Sequence, residues 1–235
     1  MKKNVIIFLT VIFPFMLSQT FGQWEKFVID NDINVAVYLG AADLDGDSKL
    51  DLVVTNAGGS QLIWYQNNFP QWTKHIIDDI FATFAFIGDM DGDDTLDVVA
   101  NLYFDGKMVW YENNHPTWTQ HIIDNSTYNA DFTLVADFDN NDTLDVVTSP
   151  WEGGGPVLWY ENNHPQWTEH IIESFGSKTG SLNATDVNSD GLLDIVATRS
   201  DENRVDLFIN ENNGLTWTKF TIDDDLSPAW CLSSG

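Results

Sequence analysis

Four short runs of oxygen-bearing side chains recur at fixed offsets. They are DLDGDSKLD (43–51), DMDGDDTLD (89–97), DFDNNDTLD (137–145) and DVNSDGLLD (186–194). Positions 1, 3, 5 and 9 of each run are Asp43, Asp45, Asp47 and Asp51, then Asp89, Asp91, Asp93 and Asp97. The third set is Asp137, Asp139, Asn141 and Asp145, and the fourth is Asp186, Asn188, Asp190 and Asp194. Position 7 (Lys49, Thr95, Thr143, Leu192) can add its backbone carbonyl. An all-oxygen set from one nine-residue turn suits a hard cation with six or more ligands, so the expectation is about four Ca²⁺ ions. Without a cation, three or four carboxylates in one turn repel one another. Gly46, Gly92 or Gly191 sits at position 4 or 6, with Asn140 in the third run, where the turn needs a permissive backbone. The leucines at position 8 (Leu50, Leu96, Leu144, Leu193) are expected to anchor each loop to the core.

Other chemistry has little support. His75, His121 and His170 share a register that also holds Phe27 and Phe220, which marks a packing position. His115 and His164 align with Phe69 before a proline. The lone cysteine, Cys231, excludes a disulfide framework and a cysteine-based zinc site. No G-x-S-x-G or H-E-x-x-H motif occurs. Fourteen of the 36 acids are loop ligands, and those at strand ends and beside the Asn pairs (Glu112, Glu161, Glu211) recur as structural positions do. No catalytic residue is assigned.

The elements that must position these loops follow from a repeat. The acidic runs start 46, 48 and 49 residues apart, and Trp24, Trp72, Trp118, Trp167 and Trp217 keep the same period. Each unit reads as four short strands rich in Val, Ile, Phe, Tyr and Trp, bounded by Asp, Asn, Gly and Pro. In the second unit they are 81–89, 96–102, 107–112 and 118–123. Asn pairs at 67–68, 113–114, 162–163 and 212–213 end the third strand and cap the following turn. Units of this size predict an all-β fold, a β-propeller of four-stranded blades, with complete units at 34–77, 80–123, 130–172 and 181–222. Lone strands at Trp24–Ile29 and Leu226–Leu232 flank them. The ring is thus incomplete, completed by another subunit, or closed with four blades and frayed ends.

The loop pattern D-x-D-G-D-x-x-x-D followed by Leu-Asp-Val-Val resembles the FG-GAP and VCBS family of repeats over residues 24–232. The resemblance implies a calcium-loaded propeller, typically of seven blades, in secreted or surface proteins that include adhesion modules. The Gly-Ala-Pro segment of that family is replaced here by Asn56-Ala57-Gly58, Asn101-Leu102, Ser149-Pro150 and Thr198-Arg199.

Lys2 and Lys3 before an apolar run from Val5 to Leu17 predict a signal peptide over residues 1–22 and an exported mature chain from 23 to 235. A formal charge of −26, with 10 Lys and Arg, excludes phosphate-backbone binding. The expected partner is an extracellular protein or glycan, with no nucleic acid and no membrane span; self-association could complete the ring. The loops opposite the acidic turns carry Tyr103, Phe104, Tyr128, Trp151, Glu152, Phe175 and Lys178 as candidate contacts. The alternatives are a polysaccharide-lyase-like enzyme or a truncated propeller with a structural role only. Ligand charge orders the metal sites: stepwise calcium titration by calorimetry should show loops one and two binding more tightly than three and four. The reverse order in single-loop variants would refute this.

Overall fold

The computed structural model describes residues 25–127, 130–150, 154–174 and 178–226. The proposed signal peptide, Trp24, Tyr128, Trp151, Glu152, Phe175 and residues 227–232 lie outside them. The first sheet contains β1 (Ala36–Ala42), β2 (Asp51–Asn56), β3 (Gln61–Asn68) and β4 (Gln71–Asp78). The second contains β5 (Phe84–Gly88), β6 (Asp97–Leu102), β7 (Lys107–Asn114) and β8 (Thr117–Asp124). The third contains β9 (Ala130–Ala136), β10 (Asp145–Pro150), β11 (Pro156–Asn163) and β12 (Gln166–Ser174). The fourth contains β13 (Thr179–Thr185), β14 (Asp194–Arg199), β15 (Arg204–Glu211) and β16 (Thr216–Asp223). Each is an antiparallel meander in sequence order, so neighbouring strands need only short connections.

The second strand of each inner blade is buried because sheets cover both of its faces, and in the first blade Ile29 and Ile33 cover the outer one; DLVVTN (51–56) and DVVANL (97–102) are buried throughout. Such strands read as continuous apolar runs rather than as an alternation. The sheets meet through their inner strands in the order β1, β5, β9, β13. This is a propeller-like arc of four blades. Between blades, Trp64, Trp110 and Trp159 are fully buried. Each stacks on the histidine opposite it on the fourth strand, His75, His121 or His170, at 4.4 Å. The imidazoles reach Gln66, Glu112 and Glu161. The histidine register therefore serves packing. From the following blade, His115 and His164 meet Trp64 and Trp110 edge-on. Gly214 takes that place over Trp159, where an added Cβ would lie 2.5 Å from the ring.

Two polar latches repeat at the junctions. Asn113 Nδ2 donates to Leu96 O in its own blade and to Leu44 O in the preceding one. Asn162 does the same with Leu144 and Met90, and Asn210 with Leu193 and Phe138. The fourth-unit latch is Asn210 rather than the expected pair 212–213, because the last turn is longer and pairs Asn210 with Trp217. By the same register Glu211 is not the counterpart of Glu112 and Glu161. The second latch runs from Tyr65, Tyr111 and Tyr160 to the carboxylates of Asp30, Asp78 and Asp124. Phe208 breaks that series, and Lys219 faces Glu173 at 3.7 Å instead.

The arc is open at both ends of the described chain. Leu39 is 44% exposed, whereas its counterparts Ala85, Thr133 and Leu182 are buried against the preceding blade. Val187 is 50% exposed, whereas Leu44, Met90 and Phe138 at the same loop position are covered by the next blade. Leu50 is exposed for the same reason, which corrects the expectation that all four position-8 leucines anchor their loops. Leu96, Leu144 and Leu193 do pack on the core. Of the lone strand expected at Trp24–Ile29, the described residues 25–29 form no ladder. Ile29 and Ile33 instead pack on Leu52, Val54, Ile63 and Tyr65.

Asn113 holds two carbonyls in the dry junction, and Asn67 holds only Leu50 O at an exposed edge. Asn113→Ala should therefore cost about 2 kcal/mol, and Asn67→Ala well under half of that, in urea unfolding. Equal costs would contradict the latch.

Candidate metal centres

All four acidic loops share one backbone path. Positions 4 and 6 are left-handed in every loop: Gly46, Gly92, Asn140 and Ser189, then Ser48, Asp94, Asp142 and Gly191. Three of these eight residues are glycine, and the other five are Asn, Asp or Ser, whose short polar side chains tolerate that conformation better than bulky ones. The turn is held by its first residue. Asp43 accepts the N–H groups of Asp47 and Ser48, Asp89 those of Asp93 and Asp94, Asp137 those of Asn141 and Asp142, and Asp186 those of Asp190 and Gly191.

Position 9 has a role that spacing did not reveal. Asp51, Asp97, Asp145 and Asp194 are fully buried. One oxygen of each accepts the N–H of loop position 2: Leu44 at 3.2 Å, Met90 at 2.9 Å, Phe138 at 3.1 Å and Val187 at 2.9 Å. The other accepts the N–H of the latch asparagine on the third strand: Asn67 at 2.7 Å, Asn113 at 2.9 Å, Asn162 at 2.8 Å and Asn210 at 2.8 Å. This carboxylate closes the loop and ties it to the sheet. Each oxygen has two lone pairs, so the staple leaves capacity for a cation.

Positions 1, 3 and 9 converge in the first three loops. Asp43, Asp45 and Asp51 offer oxygens within 4.8 Å of one another, as do Asp89, Asp91 and Asp97, and Asp137, Asp139 and Asp145. Asp47 and Asp93 at position 5 are not part of these clusters. Asp47, Asp93, Asn141 and Asp190 each accept the N–H of position 7, from Lys49, Thr95, Thr143 and Leu192. Three side chains at position 7 also bond position 5. Lys49 Nζ sits on Asp47 at 2.5 Å, and the Thr95 and Thr143 hydroxyls bond Asp93 and Asn141. In the fourth loop Asn188 replaces the position-3 carboxylate, and its amide bonds Asp190. That loop is not among the three-acid clusters of the described residues.

The first three loops fit a hard cation. Two unit charges about 5 Å apart repel by about 3 kcal/mol at the effective dielectric near a protein surface. A typical hydrogen bond returns only about 1 kcal/mol. Asp91 Oδ1 is buried with no hydrogen-bond partner, an acceptor in place for a ligand. Burial pushes Asp97 up to about 7 and Asp145 up to about 6, despite their two backbone hydrogen bonds. Asp51, Asp91 and Asp139 are also raised, again chiefly by burial, with neighbouring carboxylates adding to it.

Sequence reasoning also missed a buried ion cluster at the junction of blades three and four. Asp206 replaces the aliphatic residues Ile63, Val109 and Leu158 of the other blades and is fully buried. Burial alone would raise its pKa, but hydrogen bonds from Arg204 and Arg199 hold it below the usual carboxylate range. The signal available was an Asp flanked by valine and leucine in a strand, with two arginines close by in sequence.

Residues 43–100 match the FG-GAP-like repeat. No curated protein matches the chain. Among solved structures, it is similar to the crystal structure of the V. cholerae biofilm matrix protein Bap1, at 12% identity and a TM-score of 0.44. That match covers 88% of this chain and 41% of the other, so the chain spans less than half of that protein's length.

A pH dependence follows from the raised carboxylates. Their folded pKa values exceed the unfolded one, so their favourable contribution is complete below about pH 4 and is lost as pH rises through 6 to 7. In resin-treated, calcium-free buffer the melting temperature should be higher at pH 5 than at pH 8, and calcium should close or reverse that gap. A metal-free chain that gains stability from pH 5 to 8 would contradict the assignment.

Proposed function

We propose that the mature chain is an exported, calcium-stabilised propeller segment that acts as an extracellular binding or adhesion module without catalysis of its own. The observation that carries this is the convergence of three carboxylates in three consecutive loops, with the Asp91 oxygen buried and unpaired. The residues that would hold the ions are those at positions 1, 3 and 9, with position 5 and the position-7 carbonyl joining if their local bonds rearrange. The fourth loop would bind through Asp186, Asn188, Asp190 and Asp194. Bound calcium supplies positive charge and fixed coordination; the chain supplies a closed turn and a rigid sheet beneath it.

Export is supported by the amino-terminal pattern and by calcium's abundance outside cells. No helix among the described residues is long and apolar enough to cross a membrane. The histidines are held in packing stacks, and the acidic groups brought together are turn ligands, which favours a scaffold over a lyase. The exposed faces at Leu39 and Val187 favour a further part, in which another blade, supplied by a second copy, covers them.

Calcium at millimolar concentration should raise the melting temperature of residues 23–235 by several degrees, about the effect of 1–2 kcal/mol in a chain this size. Asp91→Asn should reduce that rise. Sedimentation of the same samples should show assemblies larger than one chain. No calcium-dependent shift would sink the metal reading, and a monomer at all concentrations would sink the second-copy part alone.

A further inference from the structure

The pole opposite the acidic loops carries two features that the metal sites do not use. In the third blade, a cavity of about 230 Å³ opens to solvent beside residues 126–127 and the adjoining ends of β10 and β11. Ser126, Thr127, Thr148 and Ser149 supply hydroxyls, while Pro150 and Leu158 supply apolar wall. The Thr148 hydroxyl donates to Phe132 O, and that of Ser126 donates to Asp124. Thr127 Oγ1 and Ser149 Oγ are both buried and have no protein partner. Leaving such groups unpaired is costly, so they call for a ligand or water that can both donate and accept. No titratable side chain lines the cavity among the described residues. It is smaller than the roughly 300–1,000 Å³ of sites for drug-sized ligands, so it suits a single ring rather than a whole oligomer.

The second feature lies on the corresponding connection of the preceding blade. Phe104, in the short turn Tyr103–Asp105 between β6 and β7, is 73% exposed. Its ring is supported by Phe81 at 4.5 Å and Tyr103 at 5.4 Å. A propped aromatic face held in water is a platform for the C–H face of a sugar ring.

We propose that this pole binds a neutral pyranose glycan, with one ring in the Ser149 cavity and a neighbouring stretch of the chain against Phe104. Hydroxyls in the cavity exchange hydrogen bonds with sugar hydroxyls, the proline and leucine walls take C–H groups, and the described lining offers an anionic sugar no charged partner. The chain's charge of −26 adds long-range repulsion against uronic-acid or sulfated polymers. This rests on the reading of the protein as an extracellular binding module and names its ligand class.

The test is saturation-transfer NMR and calorimetry on calcium-loaded residues 23–235 with cellopentaose, mannopentaose, galactopentaose and tetragalacturonate. At least one neutral pentasaccharide should bind with a dissociation constant of about 1 mM or tighter. Phe104→Ala and Ser149→Ala should each weaken it by about five-fold, the loss of one modest contact. Phe104 is exposed, so its replacement keeps the fold, and Thr127→Val checks the cavity if Ser149→Ala does not. Three results overturn the proposal: no neutral sugar binds, binding ignores both the Phe104 and the cavity variants, or tetragalacturonate binds as well as the neutral sugars. Calcium-dependent melting of the same samples separates the two readings, because a chain that keeps its calcium shift and ignores sugars sinks this inference alone.

Discussion

One buried carboxylate per blade ties together everything that faces the acidic pole. Asp51, Asp97, Asp145 and Asp194 each accept two backbone N–H groups, one from the start of their own loop and one from the latch asparagine. The same asparagine at the inner junctions reaches a carbonyl at position 2 of the preceding blade's loop. Loop closure, strand pairing and blade stacking thus share one hydrogen-bonded node. Burying that charge beside the carboxylates of positions 1 and 3 is unfavourable on its own, as the raised pKa of Asp97 shows. A cation in the loop, as proposed, would convert the same cluster from a source of strain into a brace.

Chain-wide charge follows the same logic. Thirty-six acids against ten Lys and Arg would disfavour compaction if the acids were spread at random. Sixteen fall in the four turns, fourteen of them at candidate ligand positions, where divalent ions could offset them. Of the few cations, Arg199, Arg204 and Lys219 surround Asp206 at the last junction, and Lys74 joins Tyr65 on Asp30 at the first. On the opposite pole, hydroxyls and prolines line the cavity at Ser149, and Phe81 and Tyr103 support the exposed ring of Phe104.

The repeat and the strand order were legible because period-48 marks, Gly and Asn turns and apolar runs are local signals. The convergence of positions 1, 3 and 9 in the first three acidic loops was legible for the same reason. Less visible were features that depend on a neighbouring blade. Leu50 and Leu96 occupy the same position in their loops, yet only Leu96 has a preceding blade to pack on. Asn210 takes the latch role ahead of the more conspicuous Asn212–Asn213, because register is set by pairing with Trp217 and not by the dipeptide. Position 5 looked equivalent to positions 1 and 3, but its side chain bonds the backbone two residues on. Position 9 looked like one more ligand, and its work as a staple depends on the third strand sixteen or so residues away.

Direct metal analysis bears most closely on this picture. Residues 23–235, dialysed to equilibrium against millimolar calcium and assayed by inductively coupled plasma spectrometry, should retain about four ions per chain above the dialysate, within the affinity range of extracellular calcium modules. Retention of none would contradict the brace and leave the compactness of so acidic a chain without a cause.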